Sequence, residues 1–444
     1  MSTPEVVLVP LIAAAACALP IGALARPLAL LAALIVAGTA AAAWSGIDAG
    51  PSGSATAILA FIGVLFAAGA AASGAVPRPR GYFALWSLLL AATASALVAI
   101  DLVTFLVSWE SMLVPLALLI WLWGAADRRR AALRLALVWL AGSALLLTGI
   151  VALGVGARTF AFADLAGYRL AEGSQLVLAL LFLAAFAVRL PLGPLHAWLA
   201  PACAPAPAPV AVVLCGATPA VAVYAIARIC VPFFPRAMAD LAPYLTALAA
   251  VGALYAALLA SRQRDARTFV AYASLSQLQL VAAGALAAPP GGTTGALLAA
   301  TFHGLAITAL ILLAAAVARR AGTFTLGPGS AAARAPVLTS LAIVAMLISI
   351  GSPGDVLVLA AVFGVSPATG LVAVLGVIAS AAYAALFIRA LPSGPDGGRA
   401  ADLGWRERAP ALTLLALALA LTAAPWVVTD LVDRPASVVT RAAR

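Results

Sequence analysis

The chain has 444 residues and a formal net charge of +10, yet 65% of its residues are hydrophobic and only 9% are charged. A soluble globular protein carries about 25% charged residues, so this composition excludes a soluble protein and leaves no room for a soluble domain. The basic excess does not indicate nucleic-acid binding, because basic residues of membrane proteins collect in cytoplasmic loops and set the topology. We therefore expect an all-α polytopic membrane protein whose first partner is the lipid bilayer.

Apolar runs of about twenty residues, the length that crosses a bilayer, recur from one end of the chain to the other. The turn and charge signals between these runs predict about fourteen membrane spans. The predicted spans lie near 5–25, 27–46, 55–75, 82–100, 102–124, 131–156, 175–190, 207–230, 241–260, 267–287, 295–318, 335–364, 366–391 and 409–430.

All 25 basic residues are arginines, and with an even number of spans they fall mostly on one side of the membrane. The loop that holds Arg128, Arg129 and Arg130 lies on that arginine-rich side. Because positive loops stay in the cytoplasm, the bias predicts that this side is cytoplasmic. Both termini are then expected to face out from a prokaryotic cell membrane.

Two predicted spans are broken. The seventh contains repeated prolines within "LLFLAAFAVRLPLGPLHAWLAPACAPAPAPVAVVLCG" (180–216), and each proline removes a backbone donor and clashes with the preceding turn. The twelfth is interrupted at "ISIGSPGDVLVL" (348–359). Backbone groups freed at membrane depth are tolerated only inside protein or beside water.

These two breaks are five spans apart, which suggests a repeated unit. A first five-helix repeat over 82–232 and a second, inverted repeat over 241–391 would each be broken at the fourth helix, with 1–81 before them and 409–444 after them. Paired breaks in inverted repeats indicate an ion or substrate pathway near the midplane. Two unrelated proline kinks are the alternative.

Glu110 and Arg189 are the charged residues expected at mid-depth in the first repeat. Glu110 lies inside "DLVTFLVSWESMLVPLALLIWLWG" (101–124), far from either end of its span. A carboxylate in hydrocarbon is costly unless it is paired, protonated or beside water. We expect the two side chains to form a buried ion pair.

Three further ionisable residues are expected inside the membrane and complete the candidate proton pathway. His303, in "ATFHGLAITAL", is equally consistent with a proton relay and with a structural hydrogen bond, and His196, in "PLHAWL", favours the structural interpretation. Asp355 directly follows the twelfth-span break, where helix N-capping explains it best.

Other chemistry is not indicated by the sequence. Four cysteines (Cys17, Cys203, Cys215 and Cys230) lie in or beside apolar runs without metal-ligand spacing, which favours packing as small hydrophobes. There is no phosphate-binding glycine loop and no nucleophile constellation. We expect no independent catalysis and no cofactor or metal in this chain.

Several of these segments together resemble a known family. "FLVSWESMLVPLALLIWLWG" and "AFAVRLPLGPLHAWLAPACAPAP" resemble signatures of the antiporter-like membrane subunits of proton-pumping NADH–quinone oxidoreductase, respiratory complex I. "DARTFVAYASLSQLQLV" (265–281) and "FHGLAITALILLA" (302–314) resemble the helix-10 and helix-11 segments of that family. The likeness covers roughly 95–365, is strongest to the subunit M type, and extends to subunits of membrane-bound hydrogenases and Mrp-type cation/proton antiporters.

The resemblance implies a membrane-arm subunit of a multi-subunit redox complex. Its partners would be other antiporter-like subunits and redox subunits that carry iron–sulfur clusters or flavin. The family passes protons from a helix-5 glutamate and a helix-7 lysine to a helix-8 lysine and a helix-12 acid or lysine. Glu110 matches the glutamate, Arg189 falls on the helix-7 lysine, and His303 matches a helix-11 histidine.

The central part of that relay is missing. The helix-8 lysine falls on or near Ala220, the helix-12 acid falls near Ala361, and a helix-10 histidine is Gln277. Arg189 keeps a positive charge but does not deprotonate in any accessible range. Three functions stay open: a proton-translocating subunit with a degenerate relay, a non-pumping structural subunit of such a complex, and a subunit of an Mrp-type antiporter.

Overall fold

The computed structural model describes residues 3–20, 22–45, 51–287, 291–321, 336–390 and 404–424. Over these residues the chain is helical, with no strand and one isolated bridge between Asp101 and Ala161. The predicted all-α class is therefore confirmed. The last predicted span ran to 430, and its end lies outside the described residues.

The first ten helices are α1 (Thr3–Ala18), α2 (Ala25–Ser45), α3 (Pro51–Ala72), α4 (Pro79–Val98), α5 (Leu102–Ser111), α6 (Leu113–Trp123), α7 (Arg128–Ala157), α8 (Phe162–Leu165), α9 (Glu172–Arg189) and α10 (Leu199–Cys203). The others are α11 (Ala208–Val212), α12 (Thr218–Ala225), α13 (Val231–Phe233), α14 (Pro235–Ala260), α15 (Ala266–Leu286), α16 (Gly292–Ala321), α17 (Pro336–Ile350), α18 (Pro353–Val365), α19 (Pro367–Ala390) and α20 (Trp405–Ala423).

Among the described residues, twelve helical segments are long and apolar enough to cross a bilayer. The shorter α1 and the terminal α20 occupy the positions of the first and last predicted spans. These segments are rich in Ala and Leu, which are the best helix formers. Helices suit the bilayer because each backbone N–H and C=O is bonded within its own segment.

Both predicted breaks are present. In the seventh span α9 ends at Arg189, and the proline-rich link 190–198 separates it from the short helix α10. In the twelfth span α17 ends at Ile350, and α18 begins at Pro353. The boundaries of the two five-helix repeats stay a prediction.

The interior of the molecule is formed by α15, α16 and the segment Ala208–Phe233, which are buried along almost their whole length. Helix α16 packs against α15, α17, α18 and α20. The contact with α18 requires glycine, because a Cβ on Gly354 would lie 2.3 Å from the backbone nitrogen of Ala299. The second half of the broken twelfth span is thus packed backbone to backbone on the central helix.

The segment Ala208–Phe233 is wound more widely than an α-helix at two places, Val213–Ala217 and Ile226–Cys230, where it forms π turns. At the first π turn the N–H of Thr218 reaches back to the carbonyl of Val213. Pro219 follows directly and has no N–H to donate, so the wider turn accommodates it inside a buried helix.

Candidate functional site

Glu110 and Arg189 lie together, as the sequence predicts. Arg189 ends α9, and its Nη2 atom is 3.8 Å from Oε1 of Glu110. This distance is too long for a hydrogen bond, so the two groups are joined by charge alone. The second carboxylate oxygen accepts a 2.6 Å hydrogen bond from the hydroxyl of Ser143. Ser143 lies near the middle of α7, which places the pair near mid-depth.

Two tryptophans enclose the guanidinium. The central carbon of the Arg189 guanidinium lies 4.0 Å from the ring centre of Trp109 and 4.3 Å from that of Trp139. Both contacts are within the range of cation–π attraction. The planar guanidinium stacks on aromatic faces better than an ammonium group does. Trp109, Glu110, Trp139 and Arg189 are called the arginine cage below.

A third tryptophan supports the cage from outside. Trp198 packs edge-on against Trp139 at 5.4 Å between ring centres, and its indole N–H donates a 2.8 Å hydrogen bond to the carbonyl of Val188. Trp198 therefore joins the link after α9 back to the end of that helix. The position of Arg189 is thus determined by contacts on both sides of the seventh-span break.

Burial in the ion pair is asymmetric. The side chain of Arg189 is 1% exposed, whereas that of Glu110 is 30% exposed. Oε1 of Glu110 and Nη2 of Arg189 have no hydrogen-bond partner among the described residues. Arg189 therefore depends on Glu110 and the two indoles more than Glu110 depends on Arg189.

His303 bridges three helices in the second half. It lies on α16 and is 2% exposed. Its Nε2 is 2.9 Å from the hydroxyl of Ser274 on α15, and its Nδ1 is 3.4 Å from the hydroxyl of Ser349 on α17. A neutral imidazole has one donor and one acceptor nitrogen, so the two serines satisfy both.

Asp355 caps the helix that follows the second break. Its carboxylate accepts a 2.9 Å hydrogen bond from the backbone N–H of Ser352, and its own N–H donates to the Ser352 hydroxyl at 3.2 Å. This reciprocal pair is a capping box. N-capping accounts for both of these hydrogen bonds.

His196 lies in the link after α9, with its ring centre 6.0 Å from that of Tyr255. Its buried Nδ1 has no hydrogen-bond partner among the described residues. Gln279 of α15 lies nearby, and its amide donates a 2.8 Å hydrogen bond to the carbonyl of Pro191. The link is therefore tied to the interior by a neutral amide.

The residues that the family resemblance places at or near the remaining relay positions are neutral. Ala220 is 2% exposed and lies in α12 among buried residues, while Ala361 lies on α18. Gln277 is 3.5 Å from the hydroxyl of Tyr383. Within the described residues, no hydrogen bond or ion pair connects His303 or Asp355 to the arginine cage.

Sequence reasoning did not identify Trp109, Trp139 or Ser143 as partners of the ion pair, nor the two serines beside His303. Trp109 could have been suspected, because it precedes Glu110 in "SWESM". The others come from different helices, and one sequence carries no signal of which helices are neighbours.

The described residues contain no group of three or more His, Cys, Asp or Glu side chains that could hold a metal ion. The four cysteines are free and buried. Their burial among apolar residues agrees with the predicted packing role.

The family described as "NADH:quinone oxidoreductase/Mrp antiporter, TM" matches residues 99–381. Subunit M of the NADH-quinone oxidoreductase of Rhodobacter capsulatus is 31% identical over 379 residues, covering 80% of this chain and 74% of that protein. Subunit 13 of the Thermus thermophilus enzyme is 35% identical over 320 residues, covering 70% and 68%.

Solved structures agree with this assignment. A chain of respiratory complex I from Thermus thermophilus superposes with a TM-score of 0.88 at 28% identity, covering 98% of this chain and 99% of that chain. Chains of an archaeal membrane-bound sulfane sulfur reductase and of the Mrp complex from a Dietzia species give TM-scores of 0.86 and 0.84 at 20% identity and share the fold. The chain belongs to the NADH:quinone oxidoreductase/Mrp antiporter family and is a multi-pass, antiporter-like membrane subunit.

Proposed function

We propose that this chain is a membrane-arm subunit of a complex I-like respiratory oxidoreductase and that its charged pair holds helices together without relaying protons. The collinear similarity to subunit M proteins over most of the chain supports the first part. Electron transfer would belong to partner subunits that carry iron–sulfur clusters or flavin. Neighbouring antiporter-like subunits would flank this chain in the membrane.

One observation carries the second part, namely the enclosure of Arg189 by two indole rings. A relay group must release and regain a proton, and a lysine does so because burial readily shifts its pKa. A guanidinium does not deprotonate in proteins. Ala220 and Ala361 lie at or near the following relay positions, and within the described residues the charged pair contacts no further titratable side chain that could accept a proton. Its remaining role is to join α5, α7 and α9.

A second candidate function is proton translocation through His303. The contacts from Ser274 through His303 to Ser349 favour it, because they cross three helices and end beside the twelfth-span break. Hydroxyls on both sides of an imidazole can exchange protons with it. If His303 relays protons, His303→Ala should lower the number of protons moved per electron. If the chain has only a structural role, that number should stay the same.

We also infer the orientation, with the arginine-rich loops in the cytoplasm of a prokaryote and both termini outside. Two exposed positions on opposite sides test it: Ala126 in the loop before α7, and Gly173 at the start of α9. In spheroplasts, a membrane-impermeant maleimide should label Gly173→Cys and not Ala126→Cys. The opposite pattern would reverse the topology.

Co-purification tests the assignment to a redox complex. The tagged chain is extracted in mild detergent, and the proteins that accompany it are identified by mass spectrometry. Iron–sulfur subunits together with other antiporter-like subunits are the expected result. If small cation-antiporter subunits alone accompany the chain, or if nothing does, the complex I assignment is wrong.

A further inference from the structure

Two adjoining cavities open where α7 and α15 begin, on the arginine-rich side of the membrane. The first, called the basic cavity, has a volume of about 410 Å³. Its walls include Arg130 and Arg134 of α7 and Arg267 of α15, with Asp127 as its acidic residue. Arg267 also forms an ion pair with Asp265, with 3.5 Å between Nη2 and Oδ2. Three guanidinium groups against these two carboxylates leave the basic cavity with a net positive charge.

The second, called the apolar cavity, has a volume of about 350 Å³ and adjoins the first. The two share Ala125, Pro205 and Arg267 as wall residues. Helix ends from several spans form the remaining walls, which are mainly apolar and include Tyr82, Trp123, Cys203, Cys215, Ile311 and Leu312. A charged chamber and an apolar chamber therefore meet at Arg267.

The two α7 arginines of the basic cavity, Arg130 and Arg134, lack the contacts that their neighbours in sequence make. Arg128 donates a 3.0 Å hydrogen bond to the carbonyl of Gly124, and Arg129 lies 5.9 Å over the ring of Trp121. Arg130 and Arg134 are exposed and form no ion pair within the described part of the chain. They are one helical turn apart, a spacing at which like charges repel.

Membrane topology explains a positive charge here but not its arrangement. The positive-inside rule requires basic residues near helix ends and does not require them to converge. Arg267 comes from a different loop, far along the chain, and still lines the same cavity as Arg130 and Arg134. Arg130 also lies in the first turn of α7, where the helix dipole disfavours cations. An anion bound by Arg130, Arg134 and Arg267 would offset both the repulsion between the arginines and the unfavourable helix dipole.

We propose that the two cavities together bind one anionic phospholipid from the leaflet on the arginine-rich side. Its phosphate lies among Arg130, Arg134 and Arg267, and the first part of an acyl chain occupies the apolar cavity. Guanidinium groups bind phosphate through charge-assisted hydrogen bonds. Basic pockets between membrane helices at the cytoplasmic face suit such headgroups. A free phosphate ester would leave the apolar cavity unfilled, which is why the occupant is a lipid.

Charge-matched variants test the headgroup contacts. The full chain is delipidated in mild detergent, and binding of phosphatidylglycerol is followed by native mass spectrometry. Arg130→Gln with Arg134→Gln should weaken binding about 30-fold, since each basic residue near a membrane contributes about fivefold. The control is Arg262→Gln with Arg264→Gln, which removes two exposed charges from the α14–α15 loop outside both cavities. Equal weakening in the two variants would overturn the proposal, because it would mean general charge attraction.

A second variant tests the apolar chamber without altering a charge. Ala75 is exposed and lines the apolar cavity, so Ala75→Phe partly fills it with little effect on folding. We expect weaker binding of phosphatidylglycerol and unchanged binding of glycerol 3-phosphate. The proposal is wrong if glycerol 3-phosphate binds the unmodified chain as tightly as the lipid does, or if phosphatidylcholine binds as tightly as phosphatidylglycerol. If the variant that combines Arg130→Gln with Arg134→Gln does not fold, the effect of Ala75→Phe on phosphatidylglycerol binding tests the proposal by itself.

Discussion

The two halves of the molecule hold their buried polar groups in different ways. In the first half, Glu110 and Arg189 are formally charged, and two indole rings enclose the guanidinium of Arg189. In the second half, His303 is held by serine hydroxyls, and Asp355 is held by the backbone and hydroxyl of one serine. Removing one member of a buried ion pair leaves the other charge uncompensated, whereas removing one hydroxyl beside His303 or Asp355 removes a single hydrogen bond. The first half should therefore tolerate substitution much less well than the second.

Arg189→Ala should have the largest effect. It leaves the carboxylate of Glu110 without its counter-charge and opens a void beside Trp109 and Trp139. Breaking a buried pair typically costs about 3–5 kcal/mol. We expect a large fall in the apparent melting temperature of the purified protein and little assembled subunit. Arg262→Ala removes the same charge from an exposed loop and should change neither. A stable Arg189→Ala protein would contradict the structural role of the arginine cage.

Glu110→Ala should be the next most damaging change. It leaves Arg189 unpaired, but the carboxylate is 30% exposed and the indoles still contact the guanidinium. An uncompensated buried charge costs about 3–5 kcal/mol, and the cation–π contacts with the two indoles should keep the loss at the lower end of that range. Glu110→Gln keeps an acceptor for the Ser143 hydroxyl and should lose less stability than Glu110→Ala. Normal assembly with an unchanged melting temperature in Glu110→Ala would show that the pair does not stabilise the fold.

Ser274→Ala tests the hydrogen bonds of His303 in the second half of the molecule. It removes the 2.9 Å contact with Nε2 of His303, and a hydrogen bond of this kind contributes about 1 kcal/mol. Ser261→Ala, near the exposed end of α14, is the control and should have less effect. If Ser274→Ala lowered the apparent melting temperature as much as Arg189→Ala does, the predicted contrast between the two halves would be wrong.

Ser352→Ala should lower the stability of the protein as much as Ser274→Ala does, or less. The Ser352 hydroxyl accepts the N–H of Asp355 at the start of α18, and loss of an N-cap side chain costs about 1 kcal/mol. Asp355→Asn keeps an oxygen for the Ser352 N–H and should be milder still, with proton translocation unchanged. A fall in translocation in Asp355→Asn would assign this carboxylate to a proton pathway.

The sequence predicts features that depend on the residues at the feature itself, such as helix breaks and helix caps. The breaks at 190–198 and 351–352 follow from prolines and glycines at the breaks themselves, and the capping role of Asp355 follows from its place directly after the second break. The pairing of Glu110 with Arg189 was predicted because two opposite charges at mid-depth need each other.

Features that depend on helix neighbours were not predictable. Trp139 and Ser143 lie on α7, and nothing in their spacing indicates that they contact residues of α5 and α9. The serines beside His303 come from two other helices. The π turns of the eighth span were missed as well, because its apolar pattern is the same as that of an ordinary helix.

The proton-to-electron ratio of the intact complex tests the central claim most directly. The variant to use combines Glu110→Gln with Arg189→Met, which removes both charges together and leaves neither unpaired. It is compared with the unmodified complex in proteoliposomes during electron transfer. If the pair only holds α5, α7 and α9 together, an assembled double variant moves as many protons per electron as the original. A lower ratio in a fully assembled complex would show that the pair takes part in proton transfer, which would contradict this account.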